Sequence, residues 1–229
     1  MGKKGPTKKQ PMKQTPILFQ TDMVRGILEK RKRQTRRTKN LKEINKEPDR
    51  YEFRGLKTIK EKLCVIFRDK ITGCEFPIKS PYGTIGDQLW VKETWRPKQH
   101  HFPTGPHFEY RATAEEDGNP TEGPWQPSIF MPREARRITL EITYIKVERL
   151  QEITPGEAVL EGIEREGIGF KAYRKIHSGP HKGGPHPWNS VPNASAKTSY
   201  EELWEAINGE GSWEHNPWVW VIDFKTTRP

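Results

Sequence analysis

The sequence predicts a small α+β barrel, in which short strands outnumber the helices. The strongest predicted strand covers residues 137–150, where Ile138, Leu140 and Ile142 alternate with polar residues. A helix start follows at residues 154–157, since Thr favours the N-cap, Pro the first helical position and Glu the third, completing a capping box. Strands and helices do not alternate regularly along the chain, which argues against a parallel βαβ sheet.

Shorter elements precede this strand. We expect a strand at residues 16–19, followed by a helix that is capped by Thr21 or Asp22 and ends near Lys30. A hairpin should then join residues 62–68 to residues 74–78, and two further strands should lie at residues 88–93 and 108–112. Residues 38–59 are polar and without a period, so we expect an insertion or loop there.

The second half of the chain also shows element boundaries. We expect a bulge where the apolar positions shift from Tyr144 to Ile145, and a helix of residues 155–161 closed by Gly162. A long loop over residues 167–197 should follow, then a helix from Thr198 to Gly209 that buries Leu203, Trp204 and Ile207, and a last strand over residues 217–225. These elements predict one domain over residues 16–229, with insertions near 38–59 and 167–197. Residues 1–15 then form a basic, flexible tail.

The composition excludes several classes of protein. The 229 residues are 32% apolar and 31% charged, with a mean hydropathy of −0.93, but 8 Trp, 9 Phe and 6 Tyr supply bulky core residues. No apolar run approaches the ~18 residues of a membrane span, and the first residues lack the apolar segment of a secretory signal. The two cysteines lack the spacing of a zinc site. We therefore expect a cytoplasmic protein without metal or cofactor that binds no membrane.

The charge is concentrated at one end of the chain. Residues 1–62 carry 13 Lys and 7 Arg against 7 acidic residues, a net charge of +13, whereas residues 63–229 carry 20 basic and 23 acidic residues, a net charge of −3. Such an asymmetry favours a polyanionic partner such as RNA. The alternative is a solvated basic tail attached to a soluble domain, and for residues 1–15 the two interpretations are equally good.

Several segments, taken in order, resemble the ASCH domain of the PUA-like superfamily. The matching stretches are residues 16–19, 32–37, 86–95, 110–112, 128–132, 149–162 and 216–220. The pattern is closest to the longer ASCH proteins of phages and prophages. The resemblance implies a β-barrel with a cleft for RNA or a modified base. It also implies the site of the N(4)-acetylcytidine amidohydrolases, whose Lys, Thr and distant Glu match Lys32, Thr35 and Glu161, although this chain is about twice as long as those enzymes.

These three residue types suit amide hydrolysis. Thr35 supplies a hydroxyl nucleophile, and Lys32, expected within one helical turn of it, supplies a base if its pKa is lowered by burial or by the neighbouring arginines. Glu161 transfers protons or orients Lys32. The alternative is that Lys32 is one solvated charge in a basic run and Thr35 an ordinary loop hydroxyl.

A second set of residues suits nucleic-acid binding. Aromatic side chains that stack on bases, next to cations that neutralise phosphates, are typical of RNA-binding surfaces. The candidates are Arg33, Arg36, Arg37, Lys92, Trp95 and Arg111. Core packing is the alternative for the tryptophans. The protein is then either an amidohydrolase acting on a modified nucleoside or RNA, or a module that binds the same partner without chemistry.

His177, His181 and His186 lie in a Gly/Pro-rich segment with no fixed geometry, so we expect an exposed loop rather than a metal site.

Overall fold

A five-stranded sheet forms the centre of the fold. The computed structural model describes residues 12–98, 108–114, 123–173 and 195–227. Its strands are β1 (Gln14–Leu18), β2 (Gln34–Arg37), β3 (Tyr51–Ile59), β4 (Lys62–Asp69), β5 (Glu75–Lys79), β6 (Gln88–Lys92), β7 (Trp95–Pro97), β8 (Phe108–Tyr110), β9 (Thr139–Arg149), β10 (Arg165–Glu166), β11 (Gly169–Phe170) and β12 (Trp218–Thr227). The helices are α1 (Thr21–Leu28), α2 (Pro155–Leu160) and α3 (Ala196–Asn208). The mixed α+β class predicted from the sequence is confirmed.

The central sheet has the order β1-β6-β9-β12-β2. Only β1 and β6 pair in parallel, and the longest ladder joins β9 to β12. Its register shifts between Asp223 and Phe224, opposite Tyr144 and Ile142, which leaves Thr143 unpaired. Tyr144 therefore points outward with 49% of its surface exposed, while Ile145 is buried. The predicted bulge is confirmed, and it explains why the apolar alternation changes phase.

The sheet curls until its two edge strands approach each other. Arg37 in β2 donates from Nη2 to the carbonyl oxygen of Leu18 in β1 at 2.7 Å. Within the described residues β1 and β2 form no ladder, so the sheet stays open and is not a closed barrel. The opening between these two edges is where the candidate site lies.

The segment predicted as an insertion contains a strand. β3, β4 and β5 form a separate antiparallel sheet, which confirms the hairpin of residues 62–68 and 74–78. The prediction of a loop throughout residues 38–59 was wrong, because β3 occupies its second half. β3 lies at the sheet edge, is mostly exposed, and has a bulge between Phe53 and Gly55, so its sequence lacks the alternation of a half-buried strand.

Two hydrophobic clusters share strand β12. Trp220 and Ile222 face the core between the two larger sheets, whereas Val219 and Val221 face a second core beneath α2 and α3. The predicted helices are present, with small shifts in their ends. Ile207 was predicted to be buried, but it is 41% exposed because it faces a cavity rather than the core.

Two boundary predictions also change. The tail predicted at residues 1–15 overlaps β1, which begins at Gln14, and residues 1–11 lie outside the described part of the chain. The loop predicted at residues 167–197 contains β11 and the first two residues of α3, and residues 174–194 lie outside the description. No helix in the described ranges is long and apolar enough to span a membrane.

Candidate functional site

Lys32 and Glu161, two of the three predicted catalytic residues, form a buried ion pair. Lys32 Nζ donates to Glu161 Oε2 and to the Glu161 carbonyl oxygen, both at 2.7 Å. The two side chains are only 1% and 4% exposed. Burying two charges is costly unless each is paired and hydrogen-bonded, so this pair requires close-fitting surroundings.

Two glycines let the chain place Lys32 there. α1 ends before residues 29–33, which pack against the end of α2, where Arg33 N donates to the Leu160 carbonyl oxygen at 2.8 Å. A Cβ on Gly26 would lie 3.4 Å from Lys32 Cβ, and one on Gly162 would lie 3.0 Å from it. Gly162 also has φ of 95°, a conformation that residues with a Cβ rarely adopt. The glycine that closes α2 therefore has a second role, since it leaves room for the lysine.

Arg36 holds the other oxygen of Glu161. Its Nη1 lies 3.2 Å from Glu161 Oε1, and its Nη2 lies 2.7 Å from Glu148 Oε1 and 3.2 Å from Glu157 Oε2. The Arg36 side chain is fully buried. It was predicted to bind nucleic acid, but in this structure its charge is surrounded by carboxylates. Its geometry suits the positioning of Glu161.

Thr35 lies in a strand rather than in a helix. We expected Lys32 and Thr35 on the same side of a helical turn or across its frayed end; instead, β2 begins at Gln34 and pairs Thr35 with Ile222 of β12. Thr35 and Glu161 both line a cavity of 380 Å³ between the edge strands, here called the first cavity. Glu161 and Lys32 also line a neighbouring cavity of 220 Å³. Glu161 is therefore shared by the two cavities, with Thr35 on the wall of the first and Lys32 on the wall of the second.

The surroundings of Lys32 lower the pKa of its amine. Burial lowers the pKa of Lys32; Glu161 raises it, and Arg37 and Arg36 lower it further, with a net shift downward. Arg37 Nε donates to Thr35 Oγ1 at 3.2 Å, and its guanidinium lies 4.9 Å from the centre of the Phe19 ring. Thr35 therefore accepts a hydrogen bond from a cation, and Lys32, whose pKa is lowered, pairs with the Glu161 that lines the same cavity as Thr35.

The other predicted nucleic-acid residues lie away from this cavity. Arg33 is exposed and donates to the Lys30 carbonyl oxygen, while Lys92 reaches the Ile129 carbonyl oxygen. Trp95 packs edge-on against Phe108, and Arg111 lies over Trp125. Among the described residues, neither cavity is lined by Lys92, Trp95 or Arg111. Of the six, Arg36 and Arg37 line the first cavity.

Several residues of the first cavity were missed by the sequence analysis. Its aromatic walls are Tyr82, Tyr200 and Trp204, and two exposed cations stand on its rim, Lys39 and Lys42. Burial raises the pKa of Tyr82 to about 12. Tyr200 and Trp204 belong to the predicted helix α3, but nothing in its pattern shows that this face meets β2.

The described residues contain no cluster of three or more His, Cys, Asp or Glu side chains that could hold a metal ion. The three histidines considered as metal ligands lie outside the described residues.

A scan against protein-family models found no match, and searches of the curated proteins and of the solved structures found no similar protein. The ASCH resemblance therefore stays a prediction from the sequence.

Proposed function

We propose that this protein is a metal-independent amidohydrolase that removes the acyl group from N(4)-acetylcytidine or a similar modified base, on a PUA-like fold of the ASCH family. The observation that carries the proposal is the buried Lys32–Glu161 pair, 2.7 Å between Nζ and Oε2, together with the position of Glu161 and Thr35 on the wall of the same cavity. A nucleophile, a base and a group that orients the base are what acyl transfer requires.

The first step forms an ester on Thr35. Thr35 Oγ1 attacks the acyl carbon, and its proton passes to the neutral amine of Lys32. Negative charge develops on the former carbonyl oxygen, and the guanidinium of Arg37, which already donates to Thr35 Oγ1, lies close enough to stabilise it. The C–N bond then breaks, and the departing cytosine amine takes the proton from the Lys32 ammonium.

The second step returns the enzyme to its starting state. Water attacks the ester carbon and gives its proton to Lys32, the bond to Thr35 Oγ1 breaks, and that oxygen takes the proton back as the carboxylic acid leaves. Glu161 holds Lys32 Nζ in place throughout, through its side chain and its carbonyl oxygen. Arg36 fixes the second carboxylate oxygen, so that Glu161 cannot turn away.

The cavity has the size and the walls that a pyrimidine base requires. Its 380 Å³ falls within the ~300–1,000 Å³ range of small-ligand sites. Tyr82, Tyr200 and Trp204 offer aromatic surfaces, on which a base stacks with about 1–3 kcal/mol of stabilisation. The same walls support the second candidate function, a module that binds a modified base in RNA without hydrolysing it.

Two substitutions of one residue test the proposal. Thr35→Val keeps the shape of the side chain and removes the hydroxyl, whereas Thr35→Ser keeps the hydroxyl. We expect Thr35→Val to lower the turnover of N(4)-acetylcytidine more than about 1,000-fold, and Thr35→Ser to retain measurable turnover. Chromatography of the released cytidine measures both. Equal turnover in Thr35→Val and the wild type contradicts the covalent mechanism, and tight binding without turnover by the wild type favours the binding module.

A further inference from the structure

The rim of the first cavity carries more positive charge than a neutral nucleoside needs. Glu161 is the only carboxylate among the described residues that line the cavity, and Lys32 and Arg36 already pair with it. Within the described residues, Lys39 and Lys42 make no ion pair and no side-chain hydrogen bond. Two uncompensated ammonium groups beside an aromatic cavity attract an anion.

The backbone that carries these lysines is held firmly. Leu41 and Ile44 are buried in the core between the sheets, and Trp220 Nε1 donates to the Lys39 carbonyl oxygen at 3.1 Å. Asn45 exchanges two hydrogen bonds with the backbone of Trp218, at 2.8 and 2.9 Å. Lys39 and Lys42 are therefore exposed side chains on an ordered segment, aligned on the side opposite the buried anchors.

The cavity continues into a groove of 620 Å³ on the side of Lys42, here called the side groove. Thr38, Lys42, Trp204 and Asn208 line both spaces, and Ser212 and His215 lie further along the groove. Two buried polar atoms of this wall, Trp204 Nε1 and Ser212 Oγ, have no hydrogen-bond partner in the described part of the protein. Unpaired buried polar atoms are costly, and these two lie in residues that line the groove.

From this arrangement we infer that the substrate carries a phosphate, which Lys39 and Lys42 bind while the base occupies the first cavity. The inference rests on the proposed function for the identity of the base. A free nucleoside leaves both ammonium groups without a partner, whereas a phosphate oxygen accepts from each of them. The side groove, lined by hydroxyl, amide and imidazole groups and by the carboxylate of Glu210, extends from the phosphate position and suits the adjoining sugar of a single strand.

Binding measurements test the inference separately from catalysis. The Thr35→Val protein, which holds ligand without turnover, is titrated with three probes. They are N(4)-acetylcytidine, its 5′-monophosphate, and a five-nucleotide single-stranded RNA with one central N(4)-acetylcytidine. We expect the phosphorylated probes to bind at least about 10-fold more tightly than the nucleoside, since hydrogen bonds to charged groups contribute this much.

The lysines are then replaced in the same background. Lys39→Gln with Lys42→Gln should remove most of the 10-fold preference, and for the RNA should reduce the salt slope by about 0.7 for each phosphate that the variant no longer neutralises. Lys46→Gln is the matched control, because Lys46 lies on the same segment, is exposed, pairs with Glu43 and lines neither space. Its preference for phosphate should stay unchanged.

The outcomes separate the two proposals. Equal affinity for all three probes, no binding at all, an unchanged preference in the double variant, or an equal loss in Lys46→Gln overturns the phosphate inference. A preference that depends on Lys39 and Lys42, together with no deacetylation of any probe by the wild type, upholds it and refutes the hydrolase. RNA that binds more tightly than the monophosphate identifies a strand as the ligand, and equal affinity identifies a free nucleotide.

Discussion

Gly162→Ala tests the packing of Lys32 without removing any functional group. The added Cβ would lie 3.0 Å from Lys32 Cβ, 3.4 Å from Cγ and 3.5 Å from Cδ. Lys32 cannot move away freely, since Glu161 holds its Nζ and its backbone N donates to the Gly26 carbonyl oxygen at 2.9 Å. The substitution therefore combines backbone strain at a φ of 95° with overpacking around a buried ion pair.

The chain contains a control that isolates the overpacking. Gly209 ends α3 with φ of 103°, and a Cβ there would have no neighbour within 4 Å. Gly209→Ala should cost about 1–3 kcal/mol through backbone strain alone, because its φ of 103° and ψ of 158° lie in a region almost confined to glycine. Gly162→Ala should cost about 1–3 kcal/mol more, the usual penalty of overpacking.

Denaturant unfolding of both variants measures the difference, and a domain of this size should lose about 2–4 °C of melting temperature for each kcal/mol. Gly162→Ala should also lose amidohydrolase activity, because Lys32 is displaced from Glu161, while Gly209→Ala keeps it. Equal destabilisation by the two substitutions would refute the packing argument, since it would mean that Lys32 yields without cost.

Two further predictions concern titration and charge. Tyr82 has its pKa raised from 10 to about 12 by burial, so the folded state keeps its proton over a range where the unfolded state loses it. Stability should therefore fall between pH 10 and 12 by about 2–3 kcal/mol, and Tyr82→Phe should remove this part of the loss in thermal melts taken across that range. Arg36→Gln removes the guanidinium that bridges Glu148, Glu157 and Glu161, although Lys146 and Lys32 remain beside them, and should cost about 3–5 kcal/mol at neutral pH. Denaturant unfolding of the variant measures this loss, and a stability equal to that of the wild type would contradict this role for Arg36.

Local patterns predicted the long elements of this fold well. The alternation before Ile142, the capping box at Thr154 and the apolar run at Trp218 each correspond to an element with nearly the expected bounds. These patterns arise from burial on one face, or from a cap, and are encoded within a few residues. β3 was missed because it is an exposed edge strand, whose stability comes from pairing with β4 rather than from its own pattern.

Some residues of the candidate site could likewise be predicted from the sequence, and others could not. The family resemblance located Lys32, Thr35 and Glu161, and the structure pairs Lys32 with Glu161 and places Glu161 and Thr35 on the wall of one cavity. The resemblance did not locate Lys39 and Lys42, which lie on the rim of the first cavity because Leu41, between them, and Ile44, beyond them, are buried. Nor did it show that Arg36 faces inward, since alternation along β2 becomes visible only once the strand is paired with β12. The position of the two lysines and the direction of Arg36 both depend on contacts between segments that are distant in the sequence. Such contacts cannot be read from a single sequence.

The charges around Glu161 bear on the proposal that Lys32, although paired with a carboxylate, acts as a base. A carboxylate held by Lys32 alone would strongly favour the ammonium form and raise its pKa. Here Glu161 gives one oxygen to Lys32 and the other to Arg36, which keeps its proton at any relevant pH. Burial, together with the charges of Arg36 and Arg37, outweighs the remaining attraction and lowers the pKa of Lys32. The carboxylate thus fixes the position of the amine, while its second oxygen contacts Arg36, whose charge Glu148 and Glu157 share.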